Sequence, residues 1–434
     1  MRSSSVALAA LAVRAIAGCG GGTGATDGAT SQVDLGASPE LDLDVVWDLE
    51  PGPDIATYPD LSPPPDIVCP QADLLGYGSL GPAMPPTHFK RGESIVDFDQ
   101  PPQAVDLNGD DHLDLVTTRN GAIAVFLGHG DGTFAAPLLS AELAPTDEGA
   151  PFSVADFDGD HRLDLAGKWA VALGKGDGTF ESGWTLPPEV RGALFGDLDG
   201  DGIADALASI PTGYHHFDCI SFLGNGRGGF KRTVWSTVGD PISCLPAFLG
   251  EYSGDGNLDF VSLGDDGGGL GRAGEVFLGA GHGGFTSVAS SLWLTGPGYE
   301  FAIPCTADFT GDGVSDILAW GGNPNGTFDV RVLAFANNPG FDESYPKIRA
   351  PIVGACADFD GDGLADILDE SGIGIWWNVK QGFSNYDPET LSPRALAVAA
   401  DFNEDRRADL LRCDSWSDCN QTPHYYCTVY LEAK

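Results

Sequence analysis

One nine-residue pattern recurs seven times along the chain: Asp106–Asp114 (DLNGDDHLD), Asp156–Asp164 (DFDGDHRLD), Asp197–Asp205 (DLDGDGIAD), Glu251–Asp259 (EYSGDGNLD), Asp308–Asp316 (DFTGDGVSD), Asp358–Asp366 (DFDGDGLAD) and Asp401–Asp409 (DFNEDRRAD). Successive copies start 50, 41, 54, 57, 50 and 43 residues apart. A repeat of this length restricts the chain to an array of small supersecondary units that bury a core only by packing on their neighbours. Apolar runs flank the copies, as in Phe152-Ser153-Val154-Ala155 before and Leu165-Ala166 after the second. The predicted unit is therefore strand, acidic loop, strand.

The spacing within each copy points to a cation. Calcium takes six to eight oxygen ligands at about 2.3–2.6 Å, and a tight loop can turn the side chains of positions 1, 3, 5 and 9 inward while position 7 adds its carbonyl. The expected ligands are Asp106, Asn108, Asp110, His112 and Asp114 in the first loop, and Asp156, Asp158, Asp160, Arg162 and Asp164 in the second. They are Asp197, Asp199, Asp201, Ile203 and Asp205 in the third, and Glu251, Ser253, Asp255, Asn257 and Asp259 in the fourth. The fifth offers Asp308, Thr310, Asp312, Val314 and Asp316; the sixth Asp358, Asp360, Asp362, Leu364 and Asp366; the seventh Asp401, Asn403, Asp405, Arg407 and Asp409. Glycine at position 6 suits the positive φ of such a turn. An EF-hand would need a glutamate at position 12 and flanking helices, and neither is present. Up to seven ions are expected, with the weakest sites in the fourth loop, which has Glu251 and Ser253, and the seventh, where Glu404 and Arg406 replace both glycines.

These loops hold 26 of the 63 acidic residues of a 434-residue chain whose formal charge is −41. Such a balance excludes nucleic acid as a partner, because phosphate binding needs a basic surface. Hydrophobic residues still make up 42%, enough to bury a core.

A second repeated element follows the loops: GHGDGTF (Gly128–Phe134), GKGDGTF (Gly174–Phe180), GNGRGGF (Gly224–Phe230) and GAGHGGF (Gly279–Phe285), then the looser Asn337–Phe341 and Asn378–Phe383. A nucleotide-binding glycine fingerprint would have to open a helix, and no helical pattern follows. The element reads as a hairpin turn ending on a buried aromatic. One repeat thus holds four strands in about 50 residues, the content of a propeller blade. The last repeat lacks its final strand, and the segment around His88–Ile95 has the Phe-led form of the missing piece. The expected fold is all-β: a seven-bladed β-propeller of four-stranded blades over residues 85–434, its ring closed by the N-terminal strand.

The D-x-[DN]-x-D-G-x-x-D loops resemble the FG-GAP/VCBS, or integrin-α-like, repeat family. That resemblance implies a calcium-binding seven-bladed propeller in which the metal loops staple the blades and other loops bind ligand. Its members include adhesion receptors, lectin-like proteins and accessory domains of enzymes.

The first 19 residues, with Arg2, an apolar run from Val6 to Val13 and Ile16-Ala17-Gly18-Cys19, resemble a bacterial lipoprotein signal whose Cys19 is lipidated. From Gly20 to Ile67 there are ten acidic residues and no Lys or Arg, so residues 20–84 read as an extended acidic linker. Beyond Cys19, eight cysteines remain, which suits disulfides in an oxidising compartment. The most local pairing is Cys413 with Cys427.

No HExxH, GxSxG or comparable catalytic pattern occurs, and the His215-His216 pair stands outside the repeats. The expected function is non-catalytic binding or adhesion: a monomeric module at the outer membrane or cell surface, held to the membrane only through its lipid anchor. Its expected ligand is an extracellular carbohydrate or protein. A carbohydrate-active hydrolase or lyase and a structural envelope scaffold are the alternatives.

Overall fold

A computed structural model describes residues 89–432 apart from 101, 120, 143–151, 214–215, 237–243, 266–271, 288–291, 294–300, 323–327, 336–340, 343–352, 370–373, 380–382, 389–395 and 418–422. The segments expected to be signal and linker, with Cys19, lie outside the described residues. No described helix is long and apolar enough to cross a membrane.

The described strands form a β-propeller of small antiparallel sheets, one on each acidic loop. Strand β1 (Phe89–Phe98) leads into a sheet of β2 (Gln103–Val105), β3 (Asp114–Arg119), β4 (Ala122–Phe126) and β5 (Leu138–Glu142). The second holds β6 (Ser153–Ala155), β7 (Asp164–Ala166), β8 (Ala170–Gly174) and β9 (Phe180–Thr185). A 3-10 turn at Pro188–Val190 precedes the third: β10 (Leu194–Gly196), β11 (Asp205–Gly213), β12 (His216–Gly224) and β13 (Phe230–Ser236). The fourth has β14 (Pro246–Gly250), β15 (Asp259–Asp265), β16 (Arg272–Gly279) and β17 (Phe285–Ser287), with β18 (Leu292–Trp293) also paired to β16. The fifth comprises β19 (Phe301–Ala307), β20 (Asp316–Gly322), β21 (Phe328–Phe335) and β22 (Phe341–Asp342). The sixth is built from β23 (Val353–Ala357), β24 (Asp366–Asp369), β25 (Gly374–Asn378) and β26 (Phe383–Pro388). In the last sheet β27 (Leu396–Ala400), β28 (Asp409–Ser417) and β29 (Pro423–Glu432) are joined by β1, which sets Phe89 opposite Glu432 and Ile95 opposite Cys427.

Element boundaries follow the repeat closely. Every first strand stops one residue before position 1, and every second strand starts on the position-9 aspartate. The acidic loops and the glycine turns therefore share one end of each sheet. The ends of the second strands and the starts of the third strands share the other.

Position 2 of each loop supplies the packing between sheets. Leu107, Phe157, Leu198, Tyr252, Phe309, Phe359 and Phe402 are all buried, although they sit in loops. Phe157 packs 5.1 Å from Phe195 of the following sheet, and Phe309 lies 6.1 Å from Phe383 of the following sheet. The relation is cyclic, since Phe402 of the last loop meets Phe134 of the first glycine turn at 5.9 Å, inside one cluster with Phe98, Leu115 and Leu411. Such contacts bury apolar surface at ~25 cal/mol per Å² and make each sheet depend on its neighbour.

Three disulfides add covalent ties among the described residues. Cys413–Cys427 joins register partners on β28 and β29, as expected. Cys305–Cys356 joins the first strands of the fifth and sixth sheets, and Cys219–Cys244 runs from β12 to the approach to β14. Cys69 and Cys419 lie outside the described residues.

Candidate metal centres

Each loop is wound around its position-1 carboxylate. In the sixth, Asp358 Oδ1 accepts the Gly361 and Asp362 N–H groups at 2.7 and 3.1 Å, and Oδ2 accepts that of Gly363 at 2.9 Å. The position-3 side chain then caps position 5, as Asp360 does for Asp362 N–H at 3.1 Å, and position 5 caps position 7, as Asp362 does for Leu364 N–H at 2.9 Å. Equivalent bonds recur in the third loop on Asp197, Asp199 and Asp201.

This winding requires left-handed backbone at both positions 4 and 6. Gly361 and Gly363 have φ of 79° and 89°, and among the described residues the non-glycine residues with positive φ are Asp111, His161, Glu404 and Arg406, all at these two positions. A side chain there costs ~1–2 kcal/mol per residue, partly offset by the greater freedom of an unfolded glycine. Arg406→Gly is accordingly expected to stabilise the protein by about 1 kcal/mol, read as a rise in the denaturation midpoint at unchanged slope.

Position 9 differs from the rest. Asp114, Asp164, Asp205, Asp259, Asp316, Asp366 and Asp409 are buried at the loop base. Asp366 accepts the Phe359 N–H at 3.0 Å and the Asn378 N–H at 2.7 Å, tying the loop to the end of the third strand. Asp164 does the same for Phe157 and Gly174, and Asp409 for Phe402 and Glu432. The strand end must come close: a Cβ on Gly174 would lie 2.1 Å from the Leu163 carbonyl oxygen. In the sixth sheet Asn378 occupies this place, and its amide donates to the carbonyls of Ala365 and of Phe309 in the preceding loop. Loops are also joined directly, since the Ala204, Ala365 and Ala408 N–H groups donate to the Asp156, Asp308 and Asp358 carbonyls of the preceding loops.

Burial pushes these carboxyls up: Asp366 to about 8, Asp205, Asp316 and Asp409 to about 7, and Asp164 and Asp259 to about 6, against partial compensation by the N–H bonds. Their neighbours Asp158, Asp199 and Asp360 are raised by burial and then by the adjacent position-5 carboxylate. A carboxyl whose folded pKa exceeds its unfolded value stabilises the fold at low pH and loses that contribution as pH rises through the folded value. Metal-stripped protein is therefore expected to melt progressively lower between pH 5 and pH 8. A saturating cation favours the ionised form and should flatten or reverse that slope; parallel melting series with and without calcium measure it.

The donor set fits a hard divalent cation in three loops. Asp156, Asp158 and Asp164, then Asp197, Asp199 and Asp205, then Asp358, Asp360 and Asp366 each bring carboxylate oxygens within 4.8 Å of one another. Ligands on opposite sides of a calcium ion stand about 5 Å apart. These are the loops with four acidic ligand positions, but the converging residues are 1, 3 and 9. Position 5 stands outside the groups, and in the second loop Asp160 is paired with Arg162. Elsewhere position 3 carries Asn108, Ser253, Thr310 or Asn403, and the buried Thr310 hydroxyl has no hydrogen-bond partner. The seventh loop carries its own cation: Arg407 donates to Glu432 at 2.8 Å, while Glu404 pairs with His112 of the first loop. His129, His161 and His282 are exposed, and His216 opens β12 while His215 lies outside the described residues.

Residues 106–167 and 251–319 match the FG-GAP-like repeat. Each matched stretch opens on position 1 of a loop and spans two consecutive loops, so these FG-GAP-like repeats coincide with the units seen in the fold. No curated protein matches the chain. Among solved structures it is similar to an Agrocybe aegerita lectin specific for non-reducing terminal N-acetylglucosamine, at 19% identity over 70% of this chain and 80% of that one, with a TM-score of 0.47. It is also similar to the V. cholerae biofilm matrix protein Bap1, at 13% identity over 77% of each chain, TM-score 0.27. A third similarity is to a chain of the TcdB2-TccC3-Cdc42 structure, at 16% identity over 79% of this chain and 15% of that one, TM-score 0.32.

Proposed function

We propose that this protein is an exported module, lipidated at Cys19 and held off the membrane by its acidic segment, that binds an extracellular or envelope carbohydrate or protein without chemical turnover. Its scaffold is a closed seven-bladed propeller with calcium in its acidic loops. The observation that carries this reading is the engagement of the repeated carboxylates by their own backbone: position 1 winds the loop and position 9 anchors it to the third strand. Groups so committed are suited to hold a cation and a fold. When bound, calcium would supply charge compensation to positions 1, 3 and 9. Ligand recognition then falls to the opposite ends of the sheets, where hairpins and links differ in length and sequence from one repeat to the next.

A glycan array run beside hydrolysis assays on the purified protein tests this. Retention of one ligand class without product is the expected result. Product release would replace the binding reading with a hydrolase or lyase, and the absence of both retention and product would leave the envelope scaffold.

A further inference from the structure

The end of the third sheet opposite its acidic loop holds a cavity of about 350 Å³, lined by Pro188, Glu189, Arg191, Ala193, Ser209 and Pro211 among others. Its size is at the lower end of small-ligand pockets. The link 186–193 that forms one wall is anchored to the neighbouring sheet, because the Leu186 N–H donates to the Trp169 carbonyl at 2.8 Å. Arg191 is held from two sides. Its Nε donates to the Leu186 carbonyl at 3.1 Å, and its guanidinium carbon lies 4.7 Å from the centre of the Trp169 ring. Lys168 Nζ lies 5.2 Å from the same ring. These contacts leave the two terminal nitrogens of Arg191 without an acceptor among the described residues. No ion pair joins Arg191 to Glu189.

We propose that this cavity binds a sugar acid, a single uronate unit or one at a chain end, with its carboxylate on Arg191. A guanidinium fixed by stacking and by its own Nε presents a planar fork that matches a carboxylate. Glu189 offers an acceptor for ring hydroxyls, and the proline and alanine walls suit the C–H face of a pyranose. An acidic peptide lacks those hydroxyls and would bring further negative charge against Glu189. The chain's net charge of −41 also favours one isolated carboxylate over a repeating polyanion.

This site deepens the binding reading above and rests on it. Its test is ligand-detected NMR on the purified full chain with D-glucuronate and D-galacturonate, beside their methyl esters, D-glucose and L-glutamate. One of the uronates should bind, and its ester and glucose should bind at least tenfold more weakly. Arg191→Lys should weaken uronate binding at least tenfold without changing the melting temperature, and Trp169→Phe should weaken it less. Equal binding of acid and ester, indifference to Arg191→Lys, or preference for L-glutamate or an acidic peptide would overturn the assignment. Array retention of other glycans that is indifferent to Arg191→Lys, without uronate binding, would overturn this site and leave the module reading standing. Retention of nothing would remove both.

Discussion

Chelation of calcium is expected to lower the melting temperature by roughly 10–20 °C. A ligand bound only by the native state stabilises by RT ln(1 + [L]/Kd), ~2.7 kcal/mol per site at a hundredfold excess over Kd. The three loops whose position-1, -3 and -9 carboxylates converge would then contribute about 8 kcal/mol together. A kilocalorie moves the midpoint of a large domain by about 2 °C. The effect should be transmitted between sheets, because the N–H groups of Ala365 and Ala408 bond to the position-1 carbonyls of Asp308 and Asp358. Scanning calorimetry in excess EGTA, then with calcium restored, measures it. An unchanged melting curve would remove the metal from the account.

Local features of the repeat were legible in the sequence, and contacts between repeats were not. The loop positions placed both flanking strand ends, and the Phe-led segment near residue 89 announced the strand that joins β29. Both depend on a pattern within one unit. Nothing within the nine-residue pattern marks position 2, yet Phe157, Phe309 and Phe402 pack into the neighbouring sheets. No periodicity within one repeat encodes which sheet a side chain will enter. The Cys305–Cys356 bridge was invisible for the same reason. Position 4 was missed as a left-handed site because glycine there is also common in ordinary turns, and only Glu404 at φ 60° exposes the demand. Positions 1, 3 and 9 converge without position 5, which spacing alone does not reveal.

Two substitutions in the sixth loop should separate what a carboxylate does for the metal from what it does for the fold. Asp360 is exposed and caps only the Asp362 N–H, a bond that asparagine can keep. Asp360→Asn should therefore keep that bond, leave metal-stripped protein at least as stable because repulsion from Asp362 and Asp358 is relieved, and remove part of the calcium-dependent gain. Asp366 is buried and satisfies two N–H groups, of Phe359 and Asn378, that have no solvent to turn to. Leaving each unpaired costs ~1–3 kcal/mol, so Asp366→Ala should destabilise metal-stripped protein by about 3–5 kcal/mol once the small cavity is included. It should also abolish the sixth loop's share of the calcium gain, making it the more damaging change under both conditions. Urea unfolding of both variants, with and without calcium, distinguishes the cases. If Asp366→Ala matched the parent protein in chelator, position 9 would be a metal ligand alone. If Asp360→Asn matched it in calcium, the sixth loop would be a hydrogen-bonded turn whose carboxylates hold backbone and nothing else.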